Sequence, residues 1–269
     1  MSKGRALIVP LDHGLVAGPL EGIEDPVALI KLIAQSEADA VLLTPGVLEQ
    51  VASELGQLAV ILRVDGCTST QCNGPMRQFI SVAHATELGA DAIIVNATVG
   101  GPQEGVELRK LGRVAEESRR WGMPLIAEML SARMLANHLD FTGQGTAALP
   151  ADVGGDIALA SRIGAEMGAD IIKTRYAGDE ESFRRIVAST GRPVMVAGGP
   201  MRDSSLRSLL EMVDQSLSAG AEGVIFGRNV WQHQRPDAVL AALAAMVHDA
   251  ASIDDALAVA EDRSIATAD

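Results

Sequence analysis

The stretch GADIIKTRYAGD, residues 168–179, joins the end of a predicted helix to a predicted strand. Gly168 is typical of a residue that ends a helix, and the apolar pair Ile171 and Ile172 is typical of a buried parallel strand. The strand signal is interrupted by Lys173, whose cation is costly to bury unless it is paired or kept neutral. The stretch therefore predicts a helix–strand unit that ends in a charged group.

The same helix–strand phrase recurs along the chain, at ELGADAIIV (residues 87–95) and SAGAEGVIF (residues 218–226). Strand-like runs occupy residues 6–12, 39–44, 59–65, 91–96, 123–129, 169–175, 192–199 and 222–227. Amphipathic helices are predicted at residues 26–38, 76–90, 105–122, 155–169, 180–190 and 205–221. Eight alternating units favour a closed parallel sheet over an open one. The predicted fold is α/β, one TIM-barrel (β/α)8 domain over residues 1–269, with an extra C-terminal helix at 252–264.

Composition limits the possible functions. The formal net charge of −13 disfavours nucleic-acid binding, because a phosphate backbone needs a basic surface. The N-terminal MSKGRALIVPLDHG lacks the apolar run of a signal peptide, and no later run suits a membrane span, so a cytoplasmic protein is expected. Cys67 and Cys72 have no nearby histidines for zinc and are expected to be ordinary thiols.

The residues that end the predicted strands lie where barrels of this type place their reacting groups, and most of them are polar. They are Asp12, His13, Thr44, Asp65, Asn96, Glu128, Ser131, Arg133, Lys173, Arg175, Gly198, Gly199, Gly227 and Arg228. The sequence therefore predicts one polar site at that end of the barrel.

Two glycine-rich stretches, VAGGPM (residues 196–201) and FGRNVW (residues 226–231), follow the last two strands. Glycines leave backbone N–H groups open to an anion, and the loops after strands seven and eight commonly form a phosphate site. A small phosphorylated ligand is therefore expected, with Arg228 supplying side-chain charge. The alternative is that these glycines only form tight turns.

Lys173 is the lysine to explain, because Lys3, Lys31 and Lys110 are predicted to lie in a tail or on exposed helices. One hypothesis is a buried lysine paired with Asp12 or another acid. The other is covalent catalysis, in which the amine attacks a ketone and the resulting iminium accepts electrons. Arg175, two residues along the strand, would then disfavour protonation of the amine. Asp12 would either move protons or neutralise Lys173.

Metal and cofactor chemistry is not predicted. The five histidines are scattered and only His13 lies at a strand end; the others are His84, His138, His233 and His248. No dinucleotide-binding fingerprint is present. We expect no metal and no cofactor.

Four motifs, LDHG (residues 11–14), KTRYAGD (173–179), VMVAGGP (194–200) and GRNVWQ (227–232), resemble the DeoC/LacD-type class I aldolases. That family includes archaeal-type fructose-bisphosphate aldolase, 2-amino-3,7-dideoxyheptulosonate synthases and a phospho-autoinducer thiolase. The resemblance runs from about Leu7 to about Val247. It implies a Schiff-base lysine at Lys173 and a proton-handling acid at Asp12. It also implies a phosphate site formed by Gly198, Gly199, Gly227 and Arg228.

The motif EMLSAR, residues 128–133, departs from the family pattern. Where the aldolases carry a tyrosine that acts as general acid/base, this sequence places Ser131, followed by Arg133. The expected function is an aldolase or transaldolase acting on a small phosphorylated ketose-like substrate, with His13, Asp65, Asn96 and Ser131 near the substrate. Alternatives are a phospho-thiolase and a non-catalytic barrel that senses a sugar phosphate. A homo-oligomer is expected.

Overall fold

The computed structural model describes residues 4–66, 69–72, 74–138, 153–200 and 205–266. Cys67 lies outside these residues, whereas Cys72 is a free, exposed thiol. The strands are β1 Ala6–Pro10, β2 Ala40–Leu43, β3 Ala59–Arg63, β4 Asp65–Gly66, β5 Arg77–Gln78, β6 Ala92–Val99, β7 Leu125–Ser131, β8 Ile171–Arg175, β9 Val194–Ala197 and β10 Gly223–Ile225.

Helices surround these strands. They are α1 Gly14–Ala17, α2 Pro26–Ala34, α3 Pro45–Val51, α4 Val82–Glu87, α5 Glu104–Trp121, α6 Ala132–His138, α7 Val153–Glu166, α8 Glu180–Thr190, α9 Leu206–Ser218, α10 Arg228–Trp231, α11 Pro236–Asp249 and α12 Ile253–Ala266. In the described part of the chain, none of them is both long and apolar enough to cross a membrane.

Eight strands form a closed barrel in the order β1-β10-β9-β8-β7-β6-β3-β2. Every neighbouring pair is parallel, and β1 closes the barrel by pairing with both β2 and β10. Each of the eight predicted strand segments overlaps one of these strands, and β6 and β7 continue to Val99 and Ser131, beyond their predicted ends at residues 96 and 129. The predicted (β/α)8 barrel is therefore confirmed.

The apolar core has two layers. A large layer lies between the outer faces of the strands and the helices. A smaller cluster faces the barrel interior and is formed by Ala6, Ile8, Ala40, Leu42, Ile61, Ile94, Ile126, Met195 and Ile225. Because side chains alternate along a strand, the residue two positions after Ile61 or Ile126 points into the barrel one layer higher. Those residues are Arg63 and Glu128. A polar layer therefore lies next to the apolar interior cluster, on the side of the C-terminal strand ends.

Two of the predicted helices, the one from Met76 and the one at the C-terminus, differ in how closely the structure follows them. The helix predicted from Met76 begins only at Val82, because the Ser81 side chain caps it by accepting the His84 N–H. The preceding Arg77–Gln78 instead pairs antiparallel with Asp65–Gly66 beside the barrel mouth. The predicted C-terminal helix is present as α12 and packs against α9 and α11.

Candidate functional site

Lys173 lies in β8 with 5% of its surface exposed. Its register partner on β7 is Glu128, whose own partner on β6 is Asn96. The Lys173 Nζ atom lies 2.7 Å from Glu128 Oε1. The buried cation is therefore paired with an acid, and that acid is Glu128 rather than Asp12.

Arg63, at the end of β3, connects the carboxylates around Lys173. Its Nη2 lies 2.7 Å from Asp12 Oδ2 and 2.8 Å from Glu128 Oε2. Its Nη1 lies 3.4 Å from Asp65 Oδ1. The planar guanidinium holds its donors in a fixed fork, so it fixes the relative positions of these acids. Arg63 was missing from the residues predicted for the site.

Lys110 enters the same network from α5. Its Nζ donates to Asp65 Oδ2 at 2.5 Å and to the Met76 carbonyl at 3.0 Å. The prediction that Lys110 lies on an exposed helix surface is wrong, because only 7% of its surface is exposed. Asp65 Oδ2 also accepts the Asn96 N–H at 2.9 Å. Asp65 therefore connects α5 to β6 at the edge of the site.

The charges of this buried network balance: the three carboxylates of Asp12, Asp65 and Glu128 meet the three cations of Arg63, Lys110 and Lys173. Burial raises the pKa of Asp12, but the charges of Arg63 and Lys173 outweigh it and hold that pKa below its ordinary value. Burial lowers the pKa of His13 to about 4, against the attraction of Asp12. At neutral pH Asp12 is therefore a carboxylate and His13 an uncharged imidazole.

A small cavity of about 50 Å³ opens beside Lys173. Glu128, Asp12, Arg63 and Asn96 line it together with the lysine. The Asn96 Oδ1 atom is buried and has no hydrogen-bond partner among the described residues. The structure thus brings Lys173 together with Asp12, His13, Asp65 and Asn96, as the sequence predicts.

A second cavity, of about 260 Å³, lies beside the glycine-rich strand ends. Its lining includes Arg175, Gly198, Ser205, Ser208 and Asn229. A Cβ at Gly199, where φ is +72°, would lie 2.7 Å from an Arg175 guanidinium nitrogen. A Cβ at Gly198 would lie 2.2 Å from Asn229 Oδ1. These glycines therefore admit the close approach of polar side chains.

The two arginines of the predicted site occupy different places. Arg175 lines this glycine-rich cavity rather than the cavity beside Lys173, so the cation that shares a carboxylate with Lys173 is Arg63. Arg228 is buried and lies near His13, whose pKa it helps to lower. Within the described residues, Arg228 and Gly227 are not part of the glycine-rich lining. A Cβ at Gly227 would instead lie 2.9 Å from the His13 ring.

Ser131 ends β7 on the helix side of the barrel. Its hydroxyl donates to Asp156 Oδ2 at 3.1 Å and accepts the Met134 N–H at 3.3 Å. Arg133 lies 3.5 Å from the same Asp156 oxygen. These contacts hold α6 and α7 together and direct the Ser131 hydroxyl toward Asp156. The expected role of Ser131 near the substrate stays a prediction.

Comparison with known proteins agrees with this geometry. The model of the DeoC/LacD family aldolases matches residues 6–233. The chain belongs to the DeoC/LacD family of aldolases. It is 37% identical to a 2-amino-3,7-dideoxy-D-threo-hept-6-ulosonate synthase of Halobacterium salinarum, over 94% of this chain and 91% of the relative. The family predicted from four short motifs is confirmed.

Two further comparisons extend this result. A 2-amino-4,5-dihydroxy-6-oxo-7-(phosphonooxy)heptanoate synthase of Streptomyces griseus is 32% identical, over 91% of this chain and 85% of the relative. An archaeal fructose-1,6-bisphosphate aldolase, solved with its catalytic lysine bound to the carbinolamine intermediate, superimposes with a TM-score of 0.80 at 28% identity. That match covers 91% of this chain and 94% of the solved one.

Proposed function

We propose that this aldolase makes or breaks a carbon–carbon bond next to the ketone of a small phosphorylated substrate, through a Schiff base on Lys173. The observation that supports this most is the Lys173 amine, buried in β8 and paired with Glu128 at the edge of a small cavity. A primary amine there can attack a ketone, and the iminium that forms withdraws electrons from the neighbouring bond. The archaeal aldolase with a carbinolamine on its lysine offers a counterpart for Lys173.

The phosphate is assigned to the glycine-rich cavity. Arg175 supplies a cation there, and Ser205 and Ser208 bring hydroxyl groups from the start of α9. Lys173 and Arg175 lie two residues apart on β8, about 6.6 Å along the strand. This spacing suits a short ketone whose carbonyl meets Lys173 while its phosphate meets Arg175.

Three other polar groups near Lys173 have proposed roles in proton transfer and in hydrogen bonding to the substrate. Asp12 stays ionised, so at neutral pH it can accept a proton from a substrate hydroxyl. The uncharged His13 ring beside it can exchange hydrogen bonds without adding charge. Asn96 Oδ1, which has no partner in the described part of the chain, can accept a hydrogen bond from a substrate hydroxyl.

The names of two relatives favour the synthetic direction. Both are synthases whose named products have a seven-carbon chain with an amino group. We therefore propose that the second substrate is a small aldehyde, joined to the phosphorylated ketone donor in a transaldolase-type reaction.

The experiment is a transfer assay with phosphorylated ketoses as donors and a panel of small aldehydes as acceptors. The wild type should form longer-chain products, and Lys173→Met should form none while keeping its circular-dichroism spectrum. Lys31→Met changes a lysine whose side chain is 56% exposed, so it should match the wild type. Binding of the sugar phosphates without any product from the wild type would instead indicate a sensor.

A further inference from the structure

Glu128 contacts the reacting nitrogen more directly than any other acid in the described residues. Its Oε1 lies 2.7 Å from Lys173 Nζ, and its side chain is 2% exposed. Asp12 is turned toward other partners, since its Oδ2 receives Arg63 Nε at 2.8 Å and its Oδ1 lies 3.4 Å from His13 Nδ1. The first acid able to take a proton from the Lys173 amine is therefore Glu128.

Arg63 fixes Glu128 in this position. Its Nη2 lies 2.8 Å from Glu128 Oε2, so the second carboxylate oxygen is held while Oε1 faces the lysine. The same guanidinium is anchored by Asp12 and Asp65, and Asp65 is anchored in turn by Lys110. A carboxylate held on one side by a permanent cation cannot swing away from the amine. Arg63 is thus a positioning residue for Glu128.

Formation of a Schiff base moves two protons from nitrogen to oxygen. The protonated amine must first lose one proton to attack the carbonyl carbon, and the carbonyl oxygen must gain two protons to leave as water. The nitrogen loses its second proton between these steps and ends as a protonated imine with a single N–H. An acid that touches the nitrogen and returns to its carboxylate form can shuttle both protons, with no other reactant.

We propose that Glu128 is the catalytic acid/base that carries these protons between the Lys173 nitrogen and the substrate oxygen, in the formation and hydrolysis of the Schiff base. The proposal rests on the function assigned to Lys173 above. Glu128 would then be a proton-transferring group on β7, the same strand as Ser131, whose hydroxyl is bonded to Asp156. Proton transfer of this kind contributes about 10²–10⁴-fold to a rate.

The test is exchange of the carbonyl oxygen of ¹⁸O-labelled dihydroxyacetone phosphate with water, because this exchange reports Schiff-base formation and reversal without carbon–carbon chemistry. Glu128→Gln keeps the shape of the side chain but cannot shuttle protons, so its exchange rate should fall by about 10²–10⁴-fold. Glu107→Gln is the matched control: Glu107 is also buried, but it accepts the Thr98 N–H instead. Its exchange rate should stay within about threefold of the wild type, far inside the range expected for lost proton transfer.

Exchange by Glu128→Gln at the wild-type rate overturns the proposal while leaving the Lys173 assignment intact. Absence of exchange and of any trapped adduct in the wild type overturns the proposed function itself. If Glu128→Gln does not fold, Glu128→Asp takes its place, since it keeps the charge but retracts the carboxylate. A misplacement of about 1 Å can cost about 10²-fold, so its exchange should slow by at least tenfold, and an undiminished rate contradicts the proposal.

Discussion

Arg175 at the end of β8 and Arg228 at the start of α10 have different surroundings. Arg175 lines the 260 Å³ cavity beside Gly198, whereas Arg228 lies near the His13 ring. We therefore propose that Arg175 makes the charged hydrogen bond to phosphate. The glycine-rich strand ends and the resemblance to the aldolase family both predicted Arg228 for that bond.

Arg175→Ala should raise KM for the phosphorylated donor, because it removes a charged hydrogen bond of about 1.5–3 kcal/mol. The unphosphorylated ketone should be affected far less. Steady-state kinetics with both donors measures the difference, with Arg228→Ala assayed in parallel. A phosphate-specific defect in Arg228→Ala and not in Arg175→Ala would show that the prediction made from the sequence is the right one.

His13 should make the protein less stable in mild acid. Burial lowers its pKa from 6.5 to about 4, so between these values the unfolded chain binds a proton that the folded protein does not. The free energy of unfolding should therefore fall as the pH falls through this window, by up to about 3 kcal/mol. His13→Asn should lose this part of the slope. Urea unfolding of both proteins between pH 7 and 4.5 tests it, and parallel stability curves would argue against a buried, uncharged His13.

Residues of this site differ in how far the sequence reveals them. Lys173 was found because a cation interrupts an apolar strand, and Arg63 in AVILR shows the same signal. Lys110 could have been found from the helical period, since it shares the buried stripe of α5 with Glu107, Leu111 and Val114. The pairing of Lys173 with Glu128 was not predictable, because it depends on the register between β7 and β8.

Acids at the N-terminal ends of three strands tie neighbouring strands together. Asp39, Asp91 and Asp170 precede β2, β6 and β8. Each accepts a backbone N–H from an adjacent strand. Asp39 accepts the Leu7 N–H at 2.7 Å, Asp91 accepts the Val60 N–H at 2.8 Å, and Asp170 accepts the Leu125 N–H at 2.9 Å. Asp91 and Asp170 belong to the repeated Gly-Ala-acid phrases, whereas Asp39 follows Glu37 and Ala38. All three side chains help to fix the register of neighbouring strands.

Asp91→Ala should lower the free energy of unfolding by about 1–3 kcal/mol, because it leaves the Val60 N–H without its acceptor in a nearly buried position. Asp91→Asn keeps an acceptor oxygen and should lose less. Urea unfolding midpoints measure both variants, and the kcat of the folded protein should not change, since Asp91 is at the opposite end of the barrel from Lys173. An unchanged midpoint for Asp91→Ala would mean that water replaces the carboxylate without loss.

At the scale of the whole molecule, the closed barrel brings strand ends that are far apart in sequence to one mouth. Alternation of helix and strand predicted this, because parallel neighbours need helical crossovers and share one C-terminal edge. The short β4–β5 hairpin beside the mouth was not predictable, since two residues carry too little pattern to distinguish a strand from a helix start. The expected homo-oligomer stays a prediction.

Fructose 1,6-bisphosphate should be cleaved slowly or not at all. The Ser131 hydroxyl is bound to Asp156, and the single tyrosine of the chain, Tyr176, donates to Gln215 at 2.7 Å. Burial raises the pKa of Tyr176 to about 12, so it is a poor proton donor and acceptor at neutral pH. Coupled assays of triose phosphate release measure the rate. Turnover at an ordinary enzymatic rate, about 1–10 s⁻¹, would show that no tyrosine is needed near Lys173.

Reductive trapping would identify the lysine that forms the Schiff base, which we propose is Lys173. The wild type is incubated with dihydroxyacetone phosphate, reduced with borohydride, digested and mapped by mass spectrometry. Lys110 is the natural internal control, because it too is a buried lysine beside a carboxylate. We expect an adduct on the peptide that contains Lys173 and none on the peptide that contains Lys110. An adduct confined to Lys110, Lys31 or Lys3, or no adduct with any phosphorylated ketone, would contradict it.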